Sequence, residues 1–393
     1  MPGVPGRGLG RPATATTPRA YATGVRDPYE RTNGPDARVA VVGAGLAGLA
    51  CARRLADAGV PAVVFEKSRG PSGRCSTRRE ARGSDGTATG EPRAFDHGAQ
   101  YYTVRDPSFE SIHREWLAAG VAARWSGRIA AWDPRGGWQA KDDGPDRHVG
   151  VPGMNALGRQ LARGLELRAE ATVKALRRAV TSPGDEACAR GAWELCLQDG
   201  AWLGPWAAIV CTAPAAQAAA LVAAHDEPLA RLASSLEAAP CWALMFDAEG
   251  AILPGRDGVF LNDHALAWAA REASKPGRQA GGRWTIHASA AWSREHLELD
   301  AAEAARKLHA AWVDWLRSVG DFAGASSASH PTHLVAHRWR YSIPLVPARS
   351  RCAASADGTL VLAGDAHGGP RVEGAVLSGL AAAEQVLATL GRS

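Results

Sequence analysis

The sequence predicts an α/β fold: a nucleotide-binding domain on a parallel sheet, interrupted by an inserted α+β domain. Three observations predict it. Near its start the chain reads as a β-branched strand, a glycine-rich turn, a helix and a second strand. At its end it reads as a buried strand, a second glycine-rich turn and a helix. The segments between them alternate aromatic-rich strands with helices, as an insert would.

The elements follow in order. Residues 37–42 are an apolar run that stops at Gly43, which reads as a buried parallel strand. Residues 46–58 read as a helix closed by Gly59, and 61–66 as the second strand, giving a βαβ unit. A loop rich in Gly, Arg and Ser covers 68–92, with 83–92 as a surface excursion. Residues 95–146 carry short aromatic segments and many turn signals, which suits a sheet-bearing insert. Residues 151–165 read as a helix started by Pro152. Strand-like runs follow at 167–175, 193–197 and 206–211. Helices such as 301–317 interrupt the strands of 216–350, and 360–363 and 375–390 are the last strand and helix. Motif order therefore assigns 36–97, 151–215 and 355–393 to the nucleotide-binding domain. Residues 98–150 and 216–354 form the substrate domain.

Composition narrows the function classes. The 393 residues are 46% hydrophobic and 22% charged, with a net charge of +5, ordinary for a globular protein and without a nucleic-acid footprint. The seven cysteines are odd in number and form no CxxC or Cys/His cluster, so neither a metal site nor a disulfide framework is expected. No stretch approaches the roughly 18 apolar residues of a membrane span. A reducing, cytoplasmic location is the default. Residues 1–35 are rich in Gly, Pro, Thr, Ala and Arg, and the first acid is Asp27. They read as a disordered tail, whose basic start also resembles an organelle transit peptide.

The first glycine motif is Gly43-Ala44-Gly45-Leu46-Ala47-Gly48. It follows a strand, opens a helix, and precedes a strand that ends in Glu66, which is the context of a Rossmann-type dinucleotide site. Gly43 permits the tight turn, Gly45 lets backbone approach a pyrophosphate, and Gly48 lets helix and sheet pack closely. The pyrophosphate then sits on the helix N-terminus, with Leu46 and Ala47 in its first turn. Glu66 is placed to accept from ribose hydroxyls. This motif alone does not separate NAD from FAD. The following loop adds Lys67, Arg69, Gly73 and Arg74, a backbone-rich cationic segment suited to a second phosphate. Val173 is a further candidate cofactor contact.

The second motif runs through Gly364-Asp365 to Arg371-Val372-Glu373-Gly374-Ala375. A strand, Gly-Asp and a glycine-rich helix start read as the second half of an FAD site. Asp365 would accept from a ribityl hydroxyl. The helix opening at Val372–Ala375 would aim its N–H groups at the flavin edge that becomes negative on reduction. No cysteine follows Cys352, so non-covalent FAD is expected.

The chain resembles the renalase-like branch of the FAD-dependent amine oxidase superfamily. The resemblance rests on residues 41–48, 65–79, 95–102 (FDHGAQYY), 151–157, 337–341 (HRWRY) and 364–379, and covers nearly the whole chain beyond the tail. Arg69–Arg74 is similar to that superfamily's R-x-G-G-R loop, with Ser72 in place of the first paired glycine. The resemblance implies a fold like that of p-hydroxybenzoate hydroxylase with non-covalent FAD. It also implies hydride transfer from aberrant dihydronicotinamide isomers to FAD and on to O2. The chain departs from the family at Ala366-His367, where bulkier or aromatic residues are common.

Within FDHGAQYY, His97 and Gln100 are candidates for positioning a substrate over the flavin, and His97 for carrying a proton. A histidine satisfied by backbone groups is the alternative. Trp339 and Tyr341 alternate onto one strand face as an opposite wall, with Arg338 and Arg340 on the other. Trp242 and Trp268 are further wall candidates, and His367 is a polar group new to the site. Two other functions are open. One is a flavin amine oxidase or desaturase acting on a specialised metabolite; the other is a non-catalytic flavin-binding module.

Overall fold

The fold was obtained as a computed structural model, which describes residues 38–80, 92–141, 144–179 and 192–392. The expected tail, and all of the surface excursion but residue 92, lie outside the described residues.

The two ends of the chain and its middle meet in one six-stranded sheet. Its order is Ala353–Ala354, Leu360–Leu362, Ala208–Cys211, Val39–Val42, Ala62–Phe65, Glu166–Arg168. All neighbours are parallel except the first pair. The strands Val39–Val42, Ala208–Cys211 and Leu360–Leu362 are buried on both faces, which is why they read as unbroken apolar runs. Helix Leu46–Asp57 packs on helix Val372–Thr389. Gly379 permits the contact, since a Cβ there would lie 2.0 Å from the Ala47 carbonyl oxygen.

Three predicted elements are redrawn. The run 167–175 divides into Glu166–Arg168, in the parallel sheet, and Val173–Arg178, in a three-stranded antiparallel sheet. Glu170, at φ 56°, turns the chain between them. The run 206–211 divides likewise, with Trp206 ending the antiparallel strand Trp202–Trp206. The helix predicted over 151–165 spans only Asn155–Leu161, and the Met154 amide just before it donates to Asp96 Oδ1 at 2.9 Å.

The seven-stranded sheet has the order Pro331–Pro344, Ala238–Ala248, Arg283–Ala288, Leu266–Arg271, Gly258–Leu261, Ile129–Asp133, Gly137–Ala140. One face presents Trp242, Leu244, Phe246, Trp284 and Ile286 to helix Ala301–Ser318, where Leu308, Trp312, Trp315 and Leu316 meet them. Asp300 caps that helix by accepting from the Glu303 amide at 2.8 Å. The other face carries Thr285, His287, His337 and Trp339 toward the segment around His97. Trp242 belongs to the helix side, with Nε1 donating to the His296 carbonyl at 3.0 Å, so it is core rather than site wall. Trp268 is also core, packed among Tyr101, Trp125 and Phe260. Among the described residues no helix is long and apolar enough to cross a membrane.

Candidate cofactor and substrate site

The first strand ends at Gly43, whose φ of +104° few other residues adopt. A Cβ at Gly43 would lie 2.8 Å from Thr212 Oγ1, and one at Gly48 would lie 2.0 Å from the Gly43 carbonyl oxygen. Gly45 differs, because a Cβ there would meet nothing within 4 Å. Two glycines are thus demanded by the chain's own packing, and the third keeps clear a space beside the helix start. Among the described residues no side chain caps helix Leu46–Asp57, and no acid lies in its first turn, so its N-terminal amides are left for that space. Leu46 and Ala47 are buried in that turn. The buried Glu66 carboxylate accepts from the Ala44 amide at 2.7 Å and the Ser68 amide at 2.8 Å. A carboxylate has about four acceptor sites, so about two remain for ribose hydroxyls.

The following loop lies against the first motif. Lys67 and Arg69 are exposed at its start. Ser72, where the family motif carries glycine, keeps a glycine-like φ of 104°. That conformation costs about 1–3 kcal/mol in a non-glycine residue. Its amide donates to the Ala44 carbonyl at 2.8 Å, and its hydroxyl to the Asn155 carbonyl at 3.1 Å. A Cβ at Gly73 would stand 3.1 Å from Gly45 Cα. Arg74 then joins the two ends of the sequence. Its Nη2 meets Asp365 Oδ1 at 2.7 Å, and its Nη1 donates to the Ser342 and Tyr341 carbonyls at 3.0 and 3.3 Å. Burial pushes the Asp365 carboxyl up, and the Arg74 guanidinium opposes it.

Gly364, at φ +133°, turns the last strand into the short helix Asp365–Gly368, and its amide donates to Ser378 Oγ at 2.8 Å. A Cβ at Gly374 would lie 2.4 Å from the Gly368 and Gly369 carbonyl oxygens, so that short helix sits directly on the start of helix Val372–Thr389. That helix start also lacks a capping side chain. Val372 is buried, Ala375 half-buried and Arg371 exposed. The Glu373 side chain is engaged by the protein, its Oε1 accepting from the Arg105 and Asp106 amides at 2.7 and 2.8 Å and bracing that loop, so the contact expected at Glu373 falls to its backbone N–H. Val173 pairs with Leu197 in the antiparallel sheet, two residues beyond Ala171, whose amide donates to the Glu66 carbonyl at 2.9 Å.

A wall of rings faces the inner side of the seven-stranded sheet. The His97 and Trp339 rings stack with centroids 5.0 Å apart and planes 27° apart. The His337 ring stands edge-on to His97 at 4.8 Å. Trp339 Nε1 donates to the His97 carbonyl at 2.8 Å, and His287 Nε2 lies 3.3 Å from the same oxygen. As the alternation predicts, Arg338 and Arg340 point the other way and both meet Glu298. Burial, then the His337 ring and the Arg78 guanidinium, push the His97 imidazole down to about 3. Burial takes His287, His337 and His367 down to about 4. The wall is therefore neutral at physiological pH. His97 and His367 are both buried, and among the described residues the Nδ1 of each has no hydrogen-bond partner.

Comparison with known proteins names the fold. A model of the NAD(P)-binding Rossmann-like domain matches residues 41–116. A model of flavin containing amine oxidoreductases matches residues 117–387, more than half of the chain. The chain belongs to the flavin-containing amine oxidoreductase family. It is similar in structure to cyclohexylamine oxidase from Brevibacterium oxydans IH-35A, with a TM-score of 0.65 and 13% identity over 91% of this chain and 100% of that one. It is also similar to wild-type putrescine oxidase bound to putrescine, with a TM-score of 0.62 and 13% identity over 90% and 99%. A zeta-carotene-forming phytoene desaturase of Myxococcus xanthus is 59% identical over 39 residues, which span 10% of this chain and 8% of that protein.

As a member of this family the chain is an FAD-dependent oxidoreductase, and the residues fit FAD. The clear space at Gly45, the uncapped helix starts, the spare acceptors of Glu66 and the unpartnered His367 Nδ1 all suit a polar anionic ligand. When bound, FAD supplies a two-electron acceptor. Burial pushes the Cys211 and Cys241 thiols up to about 11 and 12, and the Cys51 and Cys75 thiols higher still. None of these four is a thiolate that would attach the flavin, in keeping with non-covalent FAD.

Gln100 is a correction. Its amide nitrogen donates to the Asp96 and Gly98 carbonyls, and its oxygen accepts from Lys275 Nζ at 3.1 Å, so the polar groups expected to position a substrate are engaged by the protein. Sequence reasoning missed Glu272, Lys275, Arg278 and His287. The first three carry charges, which in a single sequence read as surface. A cavity of about 810 Å³ at one end of the seven-stranded sheet shares no lining residue with either glycine motif. Two of its arginines, Arg93 and Arg271, are taken by Asp247 and Asp257.

Proposed function

We propose that this FAD-dependent oxidoreductase is a renalase-like oxidase. It takes a hydride from a dihydronicotinamide-type donor, with O2 as the final acceptor. The observation that carries this reading is the neutral His97–Trp339 stack. A dihydropyridine is flat and uncharged, and it becomes a cation as the hydride leaves. A stacked aromatic face accommodates that ring and favours the positive charge that develops. No proton is abstracted from such a donor, so the wall needs no strong base. Imidazoles whose proton affinity is pushed down to about 3 and 4 do not repel the forming pyridinium. The same depression makes them poor bases for an amine, which must lose a proton before it is oxidised.

A second reading, an amine oxidase or desaturase of a specialised metabolite, has its own support. Ile343, Leu345 and Val346 are exposed beside the Ser342 carbonyl that Arg74 holds, which gives this side of the site an apolar rim. Anaerobic mixing of the holoenzyme with dihydronicotinamide isomers and with primary amines separates the two. Rapid bleaching of the visible flavin band by a dihydronicotinamide isomer, and not by amines, is expected. Bleaching by amines alone would sink the first reading.

A further inference from the structure

Behind the histidine wall lies a cluster of buried charges. The side chains of Asp96, Glu272 and Lys275 are 0% exposed, and that of Arg278 is 2% exposed. Lys275 Nζ donates to Glu272 Oε2 at 3.0 Å and Gln100 Oε1 at 3.1 Å, and lies 3.4 Å from Asp96 Oδ2. Arg278 donates to Asp96 Oδ2 and, at 2.9 Å, to the Gly150 carbonyl. Two acids and two bases leave the cluster neutral, the condition under which such charges tolerate burial.

The second oxygen of Glu272 has a different task. Its Oε1 accepts from the Asp96 amide at 3.1 Å and from Thr285 Oγ1 at 2.6 Å. These donors sit on two separate segments. Asp96 directly precedes His97, and Thr285 lies two residues before His287, on the same face of strand Arg283–Ala288. His287 Nε2 and Trp339 Nε1 both meet the His97 carbonyl. One carboxylate oxygen therefore ties together two of the three segments from which the wall is built, and the third, strand Pro331–Pro344, joins them where Trp339 Nε1 meets the His97 carbonyl.

We propose that Glu272 is a positioning residue. It fixes the segment of His97 against that of His287, and so sets the face that His97 and Trp339 present to the donor. Lys275 holds the carboxylate in place through its other oxygen. Hydrogen bonds to an ionised acceptor are the short, strong ones suited to this. The proposal rests on the reading of the wall as the donor side of the site.

Thr285→Val in the holoenzyme removes one donor while keeping every charge, and Thr285→Ser restores it. Misplacement of about 1 Å costs up to about a hundredfold in rate, so Thr285→Val should slow flavin reduction by a dihydronicotinamide isomer about tenfold. FAD affinity should not change. In histidine-labelled protein the ring resonances of His97 and His287, assigned by His97→Gln and His287→Gln, should both move. Thr285→Ser should return rate and resonances to wild type. Wild-type rate and resonances in Thr285→Val would overturn the proposal. If no dihydronicotinamide isomer reduces even the wild type, the donor reading fails, and the ring resonances alone decide the role of Glu272. A second pair covers a Thr285→Val protein that does not fold. Glu272→Gln/Lys275→Met and Glu272→Leu/Lys275→Met are equally neutral, but only the first keeps an acceptor. Both lack Lys275, so the comparison is between the two, and the His97 resonance of the Gln pair should lie closer to wild type than that of the Leu pair. Identical spectra for the two would refute the positioning role.

Discussion

Glu66 shapes the glycine turn and still keeps acceptor sites to spare for a ligand. Its carboxylate holds the Ala44 and Ser68 amides, which shape the glycine turn from two sides. About two acceptor sites remain, which ribose hydroxyls are predicted to take. Glu66→Ala therefore removes a ligand contact and loosens the turn together. Hydrogen bonds to a charged group are worth about 1.5–3 kcal/mol, so FAD should bind about ten- to a hundredfold more weakly. Fluorescence titration of the apoprotein with FAD measures this, and an unchanged Kd would place the ribose elsewhere. Ser72 makes a related point. It keeps a glycine-like φ in a loop where glycine is the family residue, and its hydroxyl bond to Asn155 offsets part of the cost.

At the scale of elements, the glycines of the first helix divide by what surrounds them. Gly48 is held against the Gly43 carbonyl, so Gly48→Ala must push the helix off the sheet. Gly45 faces open space, so Gly45→Ala has nothing in the protein to strike. Gly48→Ala should lower the apoprotein Tm by several degrees, as ~1–3 kcal/mol of overpacking would. Gly45→Ala should leave the apoprotein Tm within about a degree of wild type and yet weaken FAD binding, because the added methyl occupies the pyrophosphate approach. Thermal melts of both apoproteins with parallel FAD titrations test this. Equal loss of Tm in both variants would mean that the clear space at Gly45 is not a ligand space. Helix boundaries, by contrast, depend on distant partners. The predicted helix over 151–165 begins instead at Asn155, just after Met154, whose amide donates to Asp96 far away in sequence.

Over the whole molecule the depressed histidines make stability depend on pH. His97, His287, His337 and His367 lie well below their ordinary 6.5, since burial disfavours their charged forms. Below pH 6.5 the unfolded chain binds protons that the folded chain refuses. Their contribution is therefore complete above about pH 6.5 and is lost as pH falls toward 4. Each histidine adds a slope of at most about 1.4 kcal/mol per pH unit. The Tm should hold from pH 8 to 7, then drop steadily from 6.5 to 5, and His337→Gln should flatten that drop. A Tm independent of pH between 7 and 5 would show that these imidazoles are not buried in neutral form.

The sequence by itself determined the parallel sheet, both glycine motifs and the FAD they imply. Each of these is local: a strand, a turn and a helix start are contiguous in the chain, and their requirements show as glycines and apolar runs. It also determined that Trp339 and Arg338 point to opposite faces, because alternation along a strand needs no knowledge of the partner strand. Only the tertiary structure decided which groups meet across the chain. Arg74 reaches Asp365, Glu373 braces the Arg105 loop, and Gln100 turns inward to Lys275. The charges of Asp96, Glu272, Lys275 and Arg278 look like solvated surface when read singly. They are tolerable inside only because they neutralise one another, and that pairing exists only once residues 96 and 272–278, far apart in the chain, have folded together.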